Sequence, residues 1–121
     1  YLSDAGCVAP PCGFLCNRCT DGVAEVCAVH LRESVGAPVI GEQTSGKGYS
    51  QILFDLPDGS AIGLSTARYY TGKGVSLIGT GLTPDTEVTL SEEDQQRLLA
   101  GELTPAEDAQ FQAAVAALGL S

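Results

Sequence analysis

At 121 residues the chain has the length of one ordinary domain, enough to bury most of the apolar surface of its unfolded state in a single core. Fifteen acidic side chains against six basic ones give a formal net charge of -9, which repels a polyanion and argues against nucleic acid as a partner. No stretch approaches the roughly 20 consecutive apolar residues of a membrane span, and the opening YLSDAGCVAPP has neither the basic start nor the apolar run of a signal peptide.

In chain order, Gly13 to Cys16 is an apolar run after Pro10-Pro11 and reads as a short buried strand ending near Asn17. The loop NRCTDG then leads into a helix of about a dozen residues, VAEVCAVHLRES, with Thr20 or Asp21 available to cap its free amides. Val23, Val26, Cys27, His30 and Leu31 recur at helical spacing and form its expected buried stripe. Gly36-Ala37-Pro38 stops the helix, Val39-Ile40 is a second short strand, and the loop GEQTSGKG follows. YSQILFDL alternates, with Ile52, Phe54 and Leu56 on one face and Gln51, Leu53 and Asp55 on the other; Pro57-Asp58-Gly59 turns, and SAIGLSTARYY returns as the second arm of a hairpin.

After Tyr70 the text is glycine-rich and irregular, anchored by Val75, Leu77 and Ile78. The tail is helical in two pieces. Ser91-Glu92-Glu93-Asp94 opens one, and Thr104-Pro105-Ala106-Glu107 opens the other with a capping-box arrangement and proline at the first helical position. Phe111, Val115, Ala116 and Leu118 form an apolar stripe on the last piece, ended by Gly119. Between Asp85 and Asp108 eight carboxylates stand against one base, Arg97, which reads as a solvated helical face. The fold class is α/β, of mixed α+β character: short strands, one central helix, a β-hairpin and a helical tail.

Two local motifs carry residue types with chemistry of their own. Cys7, Cys12, Cys16, Cys19 and Cys27 are odd in number, so they cannot all pair within one chain. Cys16-x-x-Cys19 and Cys27-x-x-His30 carry the ligand types of tetrahedral zinc, but Cys27 and His30 fall on the helical stripe, where Cys27 reads as a small core hydrophobe, and no metal or other cofactor is expected. Gly41, four residues, Gly46 and Lys47 come close to a phosphate-binding loop. That loop needs a hydroxyl after the lysine and a helix N-terminus facing the anion, whereas Gly48 and then a strand pattern follow, so no nucleotide is expected. The remaining chemical use of Lys47 is as a general base, which requires a neutral amine and therefore a desolvated site.

The order FLCN at 14–17, Ala24-Glu25 opening the helix, PVIGEQTSGKGYSQ at 38–51, LPDGSAIGLSTARYYT at 56–71 and GTGLTPD at 79–85 resembles the C-terminal processing, or tail-specific, proteases, serine peptidases with a Ser/Lys catalytic pair. GKG, then Gln, then LPDGS and TARYYT are more specific together than any one piece. The resemblance implies a ClpP/crotonase-like protease core forming one domain over 1–121, with the family match over 14–85 and an acidic helical tail over 88–121. The chain has no room for the family's peptide-binding PDZ domain of about 90 residues. The resemblance further implies a polypeptide substrate, or an extended peptide with an apolar C-terminus, as partner, and an extracytoplasmic or cell-envelope location. It is compatible with a homo-oligomer.

It also assigns roles. Lys47 matches the general base, and Gln51, four residues on, matches the glutamine that orients it. A straight strand would hold those two roughly 13 Å apart, so a bend at Gly48 has to bring them together. Aligned without gaps on Asn17, Glu25 and Lys47, the family's serine falls at Gly22, which has no side chain; Asp21 and Val23 also depart from the small residues usual there. The backbone amide of Val23 is left as an oxyanion donor. Cys19 and Thr20 are the nearby nucleophile types, but both precede the helix start. The expected function is a serine-type peptidase domain inactive for want of a nucleophile, the alternative a non-catalytic peptide-binding or assembly module.

Overall fold

The computed structural model describes residues 11–120. The elements are β1 (Phe14–Cys16), α1 (Val23–Val35), β2 (Val39–Gly41), β3 (Tyr49–Asp55), β4 (Ala61–Arg68), β5 (Thr86–Glu87), α2 (Glu92–Ala100) and α3 (Ala109–Ala117). Two adjacent parallel strands need a long crossover between them, and α1 supplies it: β1 lies parallel to β2 with Phe14 opposite Val39 and Cys16 opposite Gly41. The short β5, which carries no strand signal in the sequence, extends the sheet on the other side of β2, with Ile40 opposite Thr86. As the central strand of a covered parallel sheet, β2 is buried along its whole length.

The core gathers Cys16 from β1, Ala28 and Val29 from α1, Val39 from β2 and Leu82 from the following loop, with Phe14 and Leu77 packed against it. The predicted stripe of α1 is out of phase with this. Val23 is 69% exposed, Cys27 and His30 face solvent, and the residues turned inward are Glu25, Ala28 and Val29. The reason is Glu25, a charged residue that hydrophobic periodicity assigns to the surface: its carboxylate is bound inside the fold, which turns the helix so that the small Ala28 meets the sheet. Gly36 closes α1 in the left-handed conformation.

The hairpin forms as its alternation indicates, as a separate two-stranded antiparallel sheet. Neither face is covered, however: Ile52, Leu53, Phe54, Ile62 and Leu64 are all exposed, Leu53 to 75%. In the tail, Ser91 caps α2 by accepting from the Asp94 N–H at 3.1 Å. The second tail helix starts later than its capping-box motif. Thr104 to Glu107 closes instead as a separate turn, in which the Glu107 carboxylate accepts from the Thr104 N–H and O–H and from Arg97. Asp108 is the true cap of α3, its Oδ1 accepting from the Gln110 and Phe111 amides at 2.9 and 3.0 Å. α3 packs against β1 and β2 through Gln110 and Ala114, while Phe111 of the expected stripe is 40% exposed.

A side chain at position 41 would collide with the neighbouring strand, since a Cβ there would lie 1.9 Å from the Cys16 carbonyl oxygen. Gly41→Ala is expected to destabilise the chain by about 3 kcal/mol, read from urea denaturation. The Thr104 and Arg97 donors also hold the Glu107 carboxyl down at about 2, against an ordinary 4.5. A depressed carboxyl contributes stability that is complete above its unfolded value and is lost as pH falls through its folded one. The Thr104 turn should therefore loosen between those two values, seen as an amide chemical-shift titration of Thr104 that Glu107→Gln abolishes.

Candidate active site

The loop after β1 is tied before the helix begins. Asn17 Oδ1 accepts from the Cys19 N–H at 2.9 Å, and Thr20 Oγ1 accepts from the Asn17 N–H at 3.0 Å. Thr20 is thus spent on the turn rather than on the helix, and Asp21 does not cap it either. The cap is Gly22, at φ 55 and ψ -120, a backbone shape that glycine adopts freely and other residues only under strain. Its N–H donates to Glu25 Oε2 at 3.0 Å, one half of a capping box.

The other carboxylate oxygen of Glu25 reaches the lysine loop. Oε1 accepts from the Gly46 N–H at 2.8 Å and from the Thr44 hydroxyl, and Thr44 Oγ1 in turn accepts from the Leu82 N–H at 2.6 Å. Glu25 is 1% exposed. The anion that the glycine-lysine loop binds is therefore an internal carboxylate, and the loop runs on into strand β3. The flanking glycines have packing reasons of their own: a Cβ at Gly46 would lie 2.8 Å from the Gly81 nitrogen, and one at Gly48 2.7 Å from Ile78 Cγ1.

Gly22, Lys47 and Gln51 line one open cleft of about 460 Å³, together with Asp21, Tyr49, Ser65 and Ile78. A register irregularity next to Gln51, with Ser50 opposite Ala67 and Gln51 opposite Ser65, leaves Thr66 as an extra residue in β4. Such bulges re-aim side chains near sites. Gln51 does not reach the lysine, however; its amide donates to Ser65 Oγ at 3.4 Å. The Lys47 amine donates instead to Asp21 Oδ2 at 2.7 Å. Its side chain is 73% exposed, so the desolvation that a neutral base requires is not found here. The hydrogen bond and charge of Asp21 push the amine above its ordinary value.

The zinc-type residues are scattered. Cys16 is buried and its thiol donates to the Glu42 carbonyl at 3.2 Å, burial pushing its pKa up. Cys27 and His30 lie on the outer side of α1, where Cys27 is exposed rather than the core residue expected, and Cys19 is exposed on the loop. Cys7 and the opening YLSDAGCVAP lie outside the described residues.

The chain is thus an α/β unit whose glycine-flanked lysine shares a cleft with the N-terminus of the crossover helix. The model of peptidase family S41 matches residues 8–88, and the chain belongs to that family. It is 38% identical over 90 residues to the chloroplastic C-terminal processing peptidase of Tetradesmus obliquus, covering 73% of this chain and 19% of that protein. It is 34% identical over 105 residues to the carboxyl-terminal-processing protease of Synechocystis sp., covering 87% and 23%. Among solved structures, the photosystem II D1 C-terminal processing protease superposes with a TM-score of 0.61 at 40% identity, over 67% of this chain and 21% of that one. The tricorn protease, at 20% identity and a TM-score of 0.64 over 86% and 10%, shares the fold. The chain thus spans about a fifth of the length of these two curated relatives.

Sequence reasoning named Gly22, Lys47 and Gln51 but missed what each one touches. Asp21 entered only as a cap and a departure from pattern, and Glu25 only as a landmark, although its spacing of three from Gly22 is the capping-box signature. Truncating Glu25→Ala strands the Gly22 and Gly46 amides and the Thr44 hydroxyl, and should lower stability by about 3 kcal/mol in urea denaturation. Glu25→Gln keeps one acceptor oxygen and should cost roughly half as much.

Proposed function

We propose that this chain is a serine-type peptidase core of the C-terminal processing type in which the general-base position survives and the nucleophile position is empty, so that the chain by itself does not cleave peptides. One observation carries this reading: Gly22 and Lys47 line the same cleft, and the residue at the helix N-terminus, where an attacking hydroxyl belongs, has no side chain. In this reading Lys47 occupies the base position, Gln51 its orienting amide, and the Val23 backbone N–H an oxyanion donor without a reaction to serve. Thr20 does not substitute, because its hydroxyl is held by Asn17. The chain is taken as a single protease-like unit, its partner is an unstructured polypeptide with an apolar C-terminus, and its location is extracytoplasmic or in the cell envelope. Among the described residues no helix is long and apolar enough to cross a membrane.

The cleft leaves room for the missing group. A Cβ at position 22 has the Lys47 carbonyl oxygen as its nearest neighbour, at 3.8 Å. Gly22→Ser should therefore fold, with a loss of about 1 kcal/mol from the positive φ.

A second reading, a peptide-binding or assembly module, is favoured by the uncovered hairpin, whose outer edges and apolar side chains are open to an added strand. The two readings separate in solution. Incubated with an unstructured peptide ending in apolar residues, the chain should give no cleavage above buffer, and cleavage that Lys47→Ala abolishes would overturn the inactive assignment. Saturable calorimetric binding of the same peptide without cleavage favours the second.

A further inference from the structure

The cleft lacks its nucleophile, yet its base is not simply left idle. The residue immediately before Gly22 is Asp21, and its Oδ2 lies 2.7 Å from the Lys47 amine. Both side chains line the cleft beside position 22. Asp21 is anchored where it stands, because its backbone carbonyl accepts from the Ala24 N–H at 3.1 Å as the first turn of α1 forms. Lys47 is anchored from the other side by the Glu25 bond to Gly46. Two rigid backbone segments thus bring an ammonium and a carboxylate together at the point where a catalytic lysine would have to stand neutral.

We propose that Asp21 is a lock on Lys47: the carboxylate holds the amine in an ion pair beside position 22, where it is not free to turn toward a hydroxyl. This rests on the reading of Lys47 as the base position. It goes beyond that reading in assigning Asp21 a function: a hydroxyl restored at position 22 has to compete with that carboxylate for the amine. A serine there would meet an ammonium whose nitrogen lone pair is already occupied by a proton, so the amine has no means of accepting the serine proton. The other ionisable groups near the amine act in the same sense. Cys19 and Glu25 each favour the charged lysine when they are anionic, and Tyr49 lines the same cleft.

The chain has two lysines, Lys47 and Lys73, so each gives its own side-chain resonance in lysine-labelled protein and Lys73 serves as the internal reference. A pH titration followed by NMR should show the Lys47 midpoint falling in Asp21→Asn and in Asp21→Ala while that of Lys73 stays where it is. Acylation by an activated ester at fixed pH should roughly double at Lys47 relative to Lys73, the size of effect expected of an exposed ion pair. Should either variant fail to fold, the wild-type chain titrated in about 1 M salt reads the same interaction, because screening weakens an exposed pair. A Lys47 midpoint indifferent to both substitutions and to salt overturns the lock. The peptide-cleavage assay tests the peptidase reading separately, so a chain that cleaves peptide and a lysine that ignores Asp21 are different failures with different readouts.

Discussion

The fold depends on one buried carboxylate. Glu25 is a charged side chain with almost no contact with water, and it is tolerated because three donors converge on it from two sides: the Gly22 amide at the helix start, and the Gly46 amide and Thr44 hydroxyl of the lysine loop. Thr44 passes the connection on to Leu82. One side chain thereby couples the start of α1, the lysine loop and the segment that completes the core. These segments are far apart in sequence, and their alignment sets the distance between position 22 and position 47. A charged hydrogen-bond hub of this kind contributes less as net stability than as definition, since every alternative packing would leave a buried charge short of partners.

That hub also accounts for the frame around position 22. Around Gly22 it holds together the helix N-terminus, the sharp backbone turn and the glycine-lined loop. The frame has structural duties of its own, because Glu25 satisfies loop amides and Gly46 and Gly48 pack against residues 77–81 whether or not a proton is ever transferred.

Much of this was legible in the sequence where hydrophobic pattern and structure coincide. β1, the span of α1, β2, the hairpin and α2 follow from apolar runs, glycine stops and a serine cap. The failures have a common physical source in polar groups that act locally. Periodicity turned α1 the wrong way because it has no means of expecting a glutamate inside. The sequence signals put the start of α3 four residues early because the Thr104 capping box closes on itself, leaving Asp108 to cap the helix. β5 has no signature, since two residues become a strand only through the neighbour that pairs with them. Gly22, Lys47 and Gln51 were singled out through a pattern and do line one cleft, whereas Asp21 stood out only as a deviation, although its carboxylate is on the lysine.

The uncovered hairpin has a consequence for how the molecule behaves in bulk. A two-stranded ribbon with apolar side chains on both faces and two open edges is adhesive toward its own copies. The chain carries its counterweight elsewhere, in the acid-rich segment from Asp85 to Asp108 and a net charge of -9. Long-range repulsion between molecules, rather than a sealed surface, is what opposes that association, and it varies with pH and ionic strength as much as with the fold.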